Sequence, residues 1–224
     1  MMKLYTAKRI QFQISEEIGS TSALYIRPVK PKFLLVLAHG AGAGMEHFFM
    51  ETLAQFLAQQ KVATLRFNFA YMENGKKIPD RPKKALPAIS AAINQAKKLA
   101  RGVPVLIGGK SFGGRMCSQL ADNEELTGVE GIIYFGFPLH AIGKPSMDRA
   151  VHLSNISQPQ LFLQGTRDTL AEINLIKQVC KKLKRAKLEI FEGGDHSFKM
   201  LKKTGVPHEE MIEKLAKTAA EFNG

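Results

Sequence analysis

The sequence predicts an α/β protein: a mostly parallel sheet with helices on both faces, opened by an antiparallel hairpin. Three observations predict it. From residue 33 onward, short apolar runs alternate with segments of helical periodicity. The runs at 33–38 and 105–107 are continuously apolar, as strands covered on both faces require. Ahead of them, Ile10, Phe12 and Ile14 alternate with polar residues, the pattern of a strand with one wet face.

The elements follow in order. Residues 10–14 form the first strand, Gly19 and Ser20 a turn, and residues 23–27 a second strand stopped by Pro28, making an edge hairpin. Residues 33–38 are a central strand. It runs into His39-Gly40-Ala41-Gly42-Ala43-Gly44, then a helix with Phe48, Phe49, Leu53, Phe56 and Leu57 on helical spacing. Residues 62–69 form the next strand. Residues 71–82 read as a polar loop on the ligand face, with Gly75, Pro79 and Pro82. Asp80 is placed to cap a helix that starts near Pro82 and turns Leu86, Ile89, Ile93 and Leu99 inward, tolerating Pro87 near its first turns. A strand at 103–108, a helix at 111–123 and a strand at 131–135 follow. Residues 136–157 are irregular apart from a short helix at 147–153. A strand at 159–163, a helix at 169–183, a last strand at 186–191 and a closing helix at 208–222 complete one domain over residues 1–224.

Composition bounds the class. A chain that is 45% hydrophobic and 23% charged suits a globular core. The first nine residues lack the apolar centre of a signal peptide, and the longest apolar run, residues 33–38, is too short to span a bilayer. A cytoplasmic protein without membrane insertion is the expectation. Cys117 and Cys180 each fall in a helix, read as reduced core thiols, and neither has a metal-ligand spacing. The formal net charge is +12, densest at Lys181, Lys182, Lys184, Arg185 and Lys187. This cluster reads first as the solvated end of a helix, where cations favour the C-terminal dipole. Binding of nucleic acid or another polyanion is the second reading; no recognition motif or stacking aromatic cluster accompanies it. A further reading is that the charge draws anionic substrates toward the site.

The chemistry centres on Gly109-Lys110-Ser111-Phe112-Gly113, set between the strand at 103–108 and the helix after it. Strand, G-x-S-x-G, helix is a nucleophile elbow, in which small residues let a strained turn lift the serine clear of the sheet. Gly109-Lys110-Ser111 also ends a phosphate-binding loop, but that motif needs glycine at position 104, where Pro104 stands. No G-x-G-x-x-G can be laid on the glycines at 40–44 either, since Met45 and His47 occupy the third glycine's place.

A serine hydroxyl needs a base to take its proton and an acid to orient that base. His196 follows the last strand in Gly193-Gly194-Asp195-His196-Ser197 and is the candidate base. His140 and His152 fall in the irregular region as possible pocket residues, and His208 opens a helix at the surface. Asp168 follows its own strand and gives the chain order Ser, Asp, His. Asp195 is too close to His196 in sequence to face its ring and reads as a loop residue; Asp148 lies in a helix. An oxyanion needs two N–H donors. Phe112 N–H is one, and Ala41 in the glycine-rich loop is the other, with Gly42 as second choice. His39 braces this loop. Gly42, His47, Asn68 and His140 are candidate pocket residues. No metal is called for.

These stretches, with Gln164-Gly165-Thr166-Arg167-Asp168 and Phe137-Pro138-Leu139-His140, resemble the α/β-hydrolase superfamily over nearly the whole chain. Within it the chain is similar to a compact branch that includes testis-expressed α/β-hydrolase-like proteins and a chromatin-complex subunit. It is more distantly similar to dienelactone-hydrolase-like enzymes, which use cysteine where this chain has Ser111. The resemblance implies an eight-stranded sheet, a Ser111–Asp168–His196 triad and no cofactor. Residues 139–157 are too few for a large cap, so the site is expected to be open, with residues 70–82 as one wall. The expected function is a serine hydrolase of a small-molecule acyl substrate, an ester or thioester, with the acyl size and leaving group not legible. The alternative is a non-catalytic interaction module that uses the basic surface of the same fold. Peptide hydrolysis and acyl transfer are open as a third class. Oligomeric state is not legible.

Overall fold

A computed structural model describes residues 4–222. Eight strands form one sheet in the order β1-β2-β4-β3-β5-β6-β7-β8. The hairpin β1 (Lys8–Ser15) and β2 (Gly19–Ile26) sits at one edge, and β2 pairs antiparallel with β4 (Val62–Phe67). Every later pairing is parallel, through β3 (Phe33–Ala38), β5 (Val105–Lys110), β6 (Ile132–Phe135), β7 (Gln160–Gly165) and β8 (Ala186–Phe191).

The period-two pattern of β3 divides the core. Leu34, Val36 and Ala38 face α3 (Pro82–Ala100) and α4 (Phe112–Asn123), in the core layer that α5 (Ile173–Lys182) also covers. Phe33, Leu35 and Leu37 face α1 (Phe48–Gln59) and α6 (His208–Ala220). Both sets are buried, so neither face of this strand tolerates a polar residue. Truncating Leu35 to Ala would cost about 2–5 kcal/mol.

Several local expectations are corrected. The hairpin turn is at residues 16–18, and Gly19 and Ser20 already belong to β2. Residues 70–82 are not wholly a loop: Ala70–Glu73 is a single helical turn, α2, with Tyr71 buried. Asp80 does not cap α3. Its Oδ2 accepts from Tyr71 N at 2.9 Å, and the N-cap Arg81 makes no side-chain cap bond. α3 is buried through Ala85, Ala88, Ile89, Ala92, Ile93, Ala96 and Ala100, while Leu86 and Leu99 are only partly covered. The small residues let this helix approach the sheet closely, a contact that a search for large apolar residues overlooks. Phe48 is 48% exposed. α5 begins at Ile173, because residues 166–172 form the turn that carries Asp168. In place of an inserted cap there is only a 3-10 helix, Asp148–Asn155.

Cys117 and Cys180 are buried and unpaired, and burial pushes both thiols up to about 12, which suppresses the reactive thiolate. Among the described residues no helix is long and apolar enough to cross a membrane.

Candidate active site

β5 ends where the chain must turn sharply into α4. Ser111 is the N-cap of α4, with φ 50° and ψ −114°. A side-chain-bearing residue at positive φ is strained, and its neighbours must yield room. A Cβ on Gly109 would lie 2.6 Å from Ala38 O, and one on Gly113 would lie 2.5 Å from the same oxygen. Both glycines are therefore required by the closeness of β3.

Ser111 Oγ lies 2.8 Å from His196 Nε2, and His196 Nδ1 lies 2.7 Å from Asp168 Oδ2. The carboxylate accepts only, so His196 donates from Nδ1 and its Nε2 is left to accept from the serine hydroxyl. Burial is graded along the chain of bonds: the Asp168 side chain is 0% exposed and that of His196 is 22% exposed. The aspartate is further held by Gln164 Nε2 at 2.5 Å on Oδ2 and by Leu170 N at 2.8 Å on Oδ1. Gln164 is itself fixed, because its Oε1 accepts from Phe137 N at 3.1 Å.

The histidine loop is built by local bonds. Asp195 Oδ1 accepts from Ser197 N and Lys199 N at 2.8 and 2.9 Å, which makes Asp195 a turn residue. Arg167 N donates to Gly194 O at 2.9 Å and ties the aspartate loop to the histidine loop. His208 Nε2 donates to Ser197 O across 2.8 Å. His208 thus braces this loop and is not a free surface residue.

The glycine-rich loop after β3 is fixed from below. His39 is fully buried; its Nδ1 donates to Gly40 O at 2.7 Å and its Nε2 accepts from Phe69 N at 3.1 Å. Burial lowers its pKa to about 4, so the ring is neutral. Gly42 N donates to Tyr71 Oη at 2.9 Å, which removes Gly42 from the possible oxyanion donors. Asn68 Oδ1 accepts from Met45 N and Arg66 donates to Met45 O, at 2.9 and 3.0 Å. Among the described residues the N–H groups of Ala41 and Phe112 have no protein partner. Phe112 is the first residue of α4, where the helix leaves an N–H unused.

A cavity of about 740 Å³ opens over Ser111. Gly40, Ala41, Lys110 and Ser111 lie on its lining, which also includes the helix starts at His47–Met50 and His208–Glu209 and Leu170, His196 and Lys199. His47 is on this lining as expected. Gly42, Asn68 and His140 are not. Gly42 and Asn68 are turned to the support of their own loop. His140 is 3% exposed, with Nδ1 near Ala141 O at 2.9 Å and Nε2 accepting from Glu172 N at 3.0 Å. His152 is engaged away from the cavity, 2.8 Å from Ser118 Oγ. Residues 70–82 do not form a wall either, because α2 packs beneath the glycine loop; α1 and α6 supply the wall instead. Sequence reasoning missed Gln164, Tyr71, Lys110 and Lys199. The signal for Gln164 was a polar residue in a buried strand, four places before Asp168. Among the described residues no group of three or more His, Cys, Asp or Glu side chains is arranged to hold a metal.

The profile of a family described as an alpha/beta hydrolase domain matches residues 31–224. The chain belongs to the α/β-hydrolase family. Solved structures share the fold of this α/β hydrolase across its length. An alpha-beta serine hydrolase homologue from Coxiella burnetii superimposes with a TM-score of 0.75 at 17% identity, covering 97% of this chain and 99% of that one. Est1E from Butyrivibrio proteoclasticus, with ferulic acid bound, gives 0.70 at 19% identity, covering 89% and 94%. A dienelactone hydrolase from Anabaena variabilis gives 0.74 at 16% identity, covering 97% of each chain. Family membership together with this fold supports a hydrolase.

Proposed function

We propose that this α/β hydrolase cleaves a small-molecule carboxylic ester or thioester through an acyl-enzyme on Ser111. The observation that carries the reading is the continuous hydrogen-bonded path from Asp168 through His196 to Ser111, opening on the cavity. Ser111 Oγ attacks the carbonyl carbon while His196 Nε2 takes its proton. Asp168 stabilises the imidazolium and keeps the ring in register. The oxyanion that forms is held by the unused N–H groups of Phe112 and Ala41. As the tetrahedral intermediate collapses, the proton on Nε2 passes to the leaving alcohol or thiol. Water then enters, gives its proton to Nε2 and attacks the acyl-enzyme, and Ser111 leaves with that proton.

The test is turnover of p-nitrophenyl acetate, butyrate and palmitate and of a butyryl thioester by wild type and Ser111→Ala. The expected result is hydrolysis of the shorter esters that falls about 10³-fold or more in the variant. Equal rates for the two proteins would sink the reading.

A further inference from the structure

The lining of the cavity over Ser111 holds more basic than acidic side chains. His47, Lys110, Lys199 and His208 all line it, and Glu209 is the one acidic residue on that lining. Neither lysine side chain makes an ion pair or hydrogen bond among the described residues. Lys110 is 8% exposed, with its Nζ over the Phe198 ring at 6.0 Å from the centroid. Burial lowers its pKa to about 8, against the pull of Asp168 and Asp195, so it is mostly an ammonium at neutral pH. His47 is held below its ordinary range by burial and then by repulsion from Lys199, His208 and Lys110. Its Nδ1 accepts from Phe49 N at 3.2 Å, so the neutral ring presents an Nε2–H donor. The first turns of α1 and α6 also border the cavity, adding the positive ends of two helices.

Like charges around a partly dry cavity repel one another and resist desolvation, and an anion relieves both effects. We propose that this cavity is a subsite for an anionic group of the substrate, a carboxylate or a phosphate, held by Lys110, Lys199 and His47 beside the ester to be cleaved. The proposal rests on Ser111 being the attacking group, because that places the anion on the molecule being cleaved. Other clusters lead nowhere comparable. Ser118 and His152 are a second serine–histidine pair, but Ser118 is buried and its hydroxyl donates to Arg115 O at 2.8 Å.

The test is a titration of Ser111→Ala protein, followed by NMR, with monomethyl glutarate and with its neutral counterpart dimethyl glutarate. Monomethyl glutarate is expected to bind at least about ten-fold more tightly, a preference that shrinks as salt is added. Lys199→Gln, at an exposed position, and Lys110→Met should each reduce the preference several-fold; the first serves alone where the second does not fold. Inorganic phosphate is the second titrant: tighter binding than monomethyl glutarate assigns the subsite to phosphate, weaker binding to carboxylate. Equal affinity for the charged and neutral glutarates, or no saturation by either anion, would overturn the proposal. Fluorophosphonate labelling of wild-type Ser111 reports separately on the nucleophile, so the loss of one claim does not hide in the loss of the other.

Discussion

His39 makes stability at acid pH a readout of the loop that carries Ala41. The ring is fully buried, its Nε2 accepts from Phe69 N, and its pKa is lowered to about 4 by burial in the first place. Protonation at Nε2 would break that bond and leave a buried cation whose one remaining partner is Gly40 O. The unfolded chain has no such constraint and binds a proton near pH 6.5. Between these two values the unfolded state therefore holds more protons than the folded state. The stability associated with neutral His39 is present above about 6.5 and is lost as pH falls toward about 4. The two values give a loss of about 2 kcal/mol between pH 7 and pH 5, approaching roughly 3 kcal/mol below both. For a chain of this length that is a fall of about 4–8 °C in Tm by pH 5. The assay is urea unfolding of wild type and His39→Gln at pH 7, 6 and 5. Titration of the other groups cancels in the difference between the proteins. The expected result is that the wild type loses about 2 kcal/mol more than the variant over this range. Parallel losses would refute the reasoning.

Further outcomes follow from the contacts around Ser111. Gln164→Leu removes a charge-assisted bond to Asp168 and strands Phe137 N. It should lower kcat by about 10- to 100-fold with KM nearly unchanged, read from steady-state ester hydrolysis; an unchanged kcat would remove Gln164 from the account. Gly113→Ala would place a Cβ 2.5 Å from Ala38 O, against backbone that cannot move aside. It should destabilise the fold by about 3 kcal/mol or more in urea unfolding, whereas a loss under about 1 kcal/mol would show that the elbow is looser than described.

The regular elements were legible because local pattern and burial agree. The bounds of β3 and β8 match those expected from the apolar runs, and the strand-to-helix turn at Ser111 follows from glycines that only a close approach of chains demands. Ser111, Asp168 and His196 were legible as candidates because each follows its own strand, and strand ends of a parallel sheet converge on one rim. What escaped was set by pairings distant in sequence. Whether the Gly42 N–H is free depends on Tyr71, 29 residues away. Asp80 resembles a helix cap in sequence, but α2 offers it Tyr71 N instead. His140 sits among pocket candidates in sequence and is consumed by Glu172 N. Lys110 looked like the variable position of a motif, and only the packing of β5 among its neighbours makes it a buried ammonium. His208 looked like a surface residue until the return of the chain set it under Ser197.

The central claim is that His196 and Asp168 make Ser111 a nucleophile. Treatment with an active-site-directed fluorophosphonate, followed by intact-mass and peptide mass spectrometry, tests it most directly. The account predicts about one adduct per chain, located on Ser111, absent in Ser111→Ala and formed far more slowly in His196→Ala. A folded wild-type protein that remains unlabelled, or is labelled only at other residues, would contradict it.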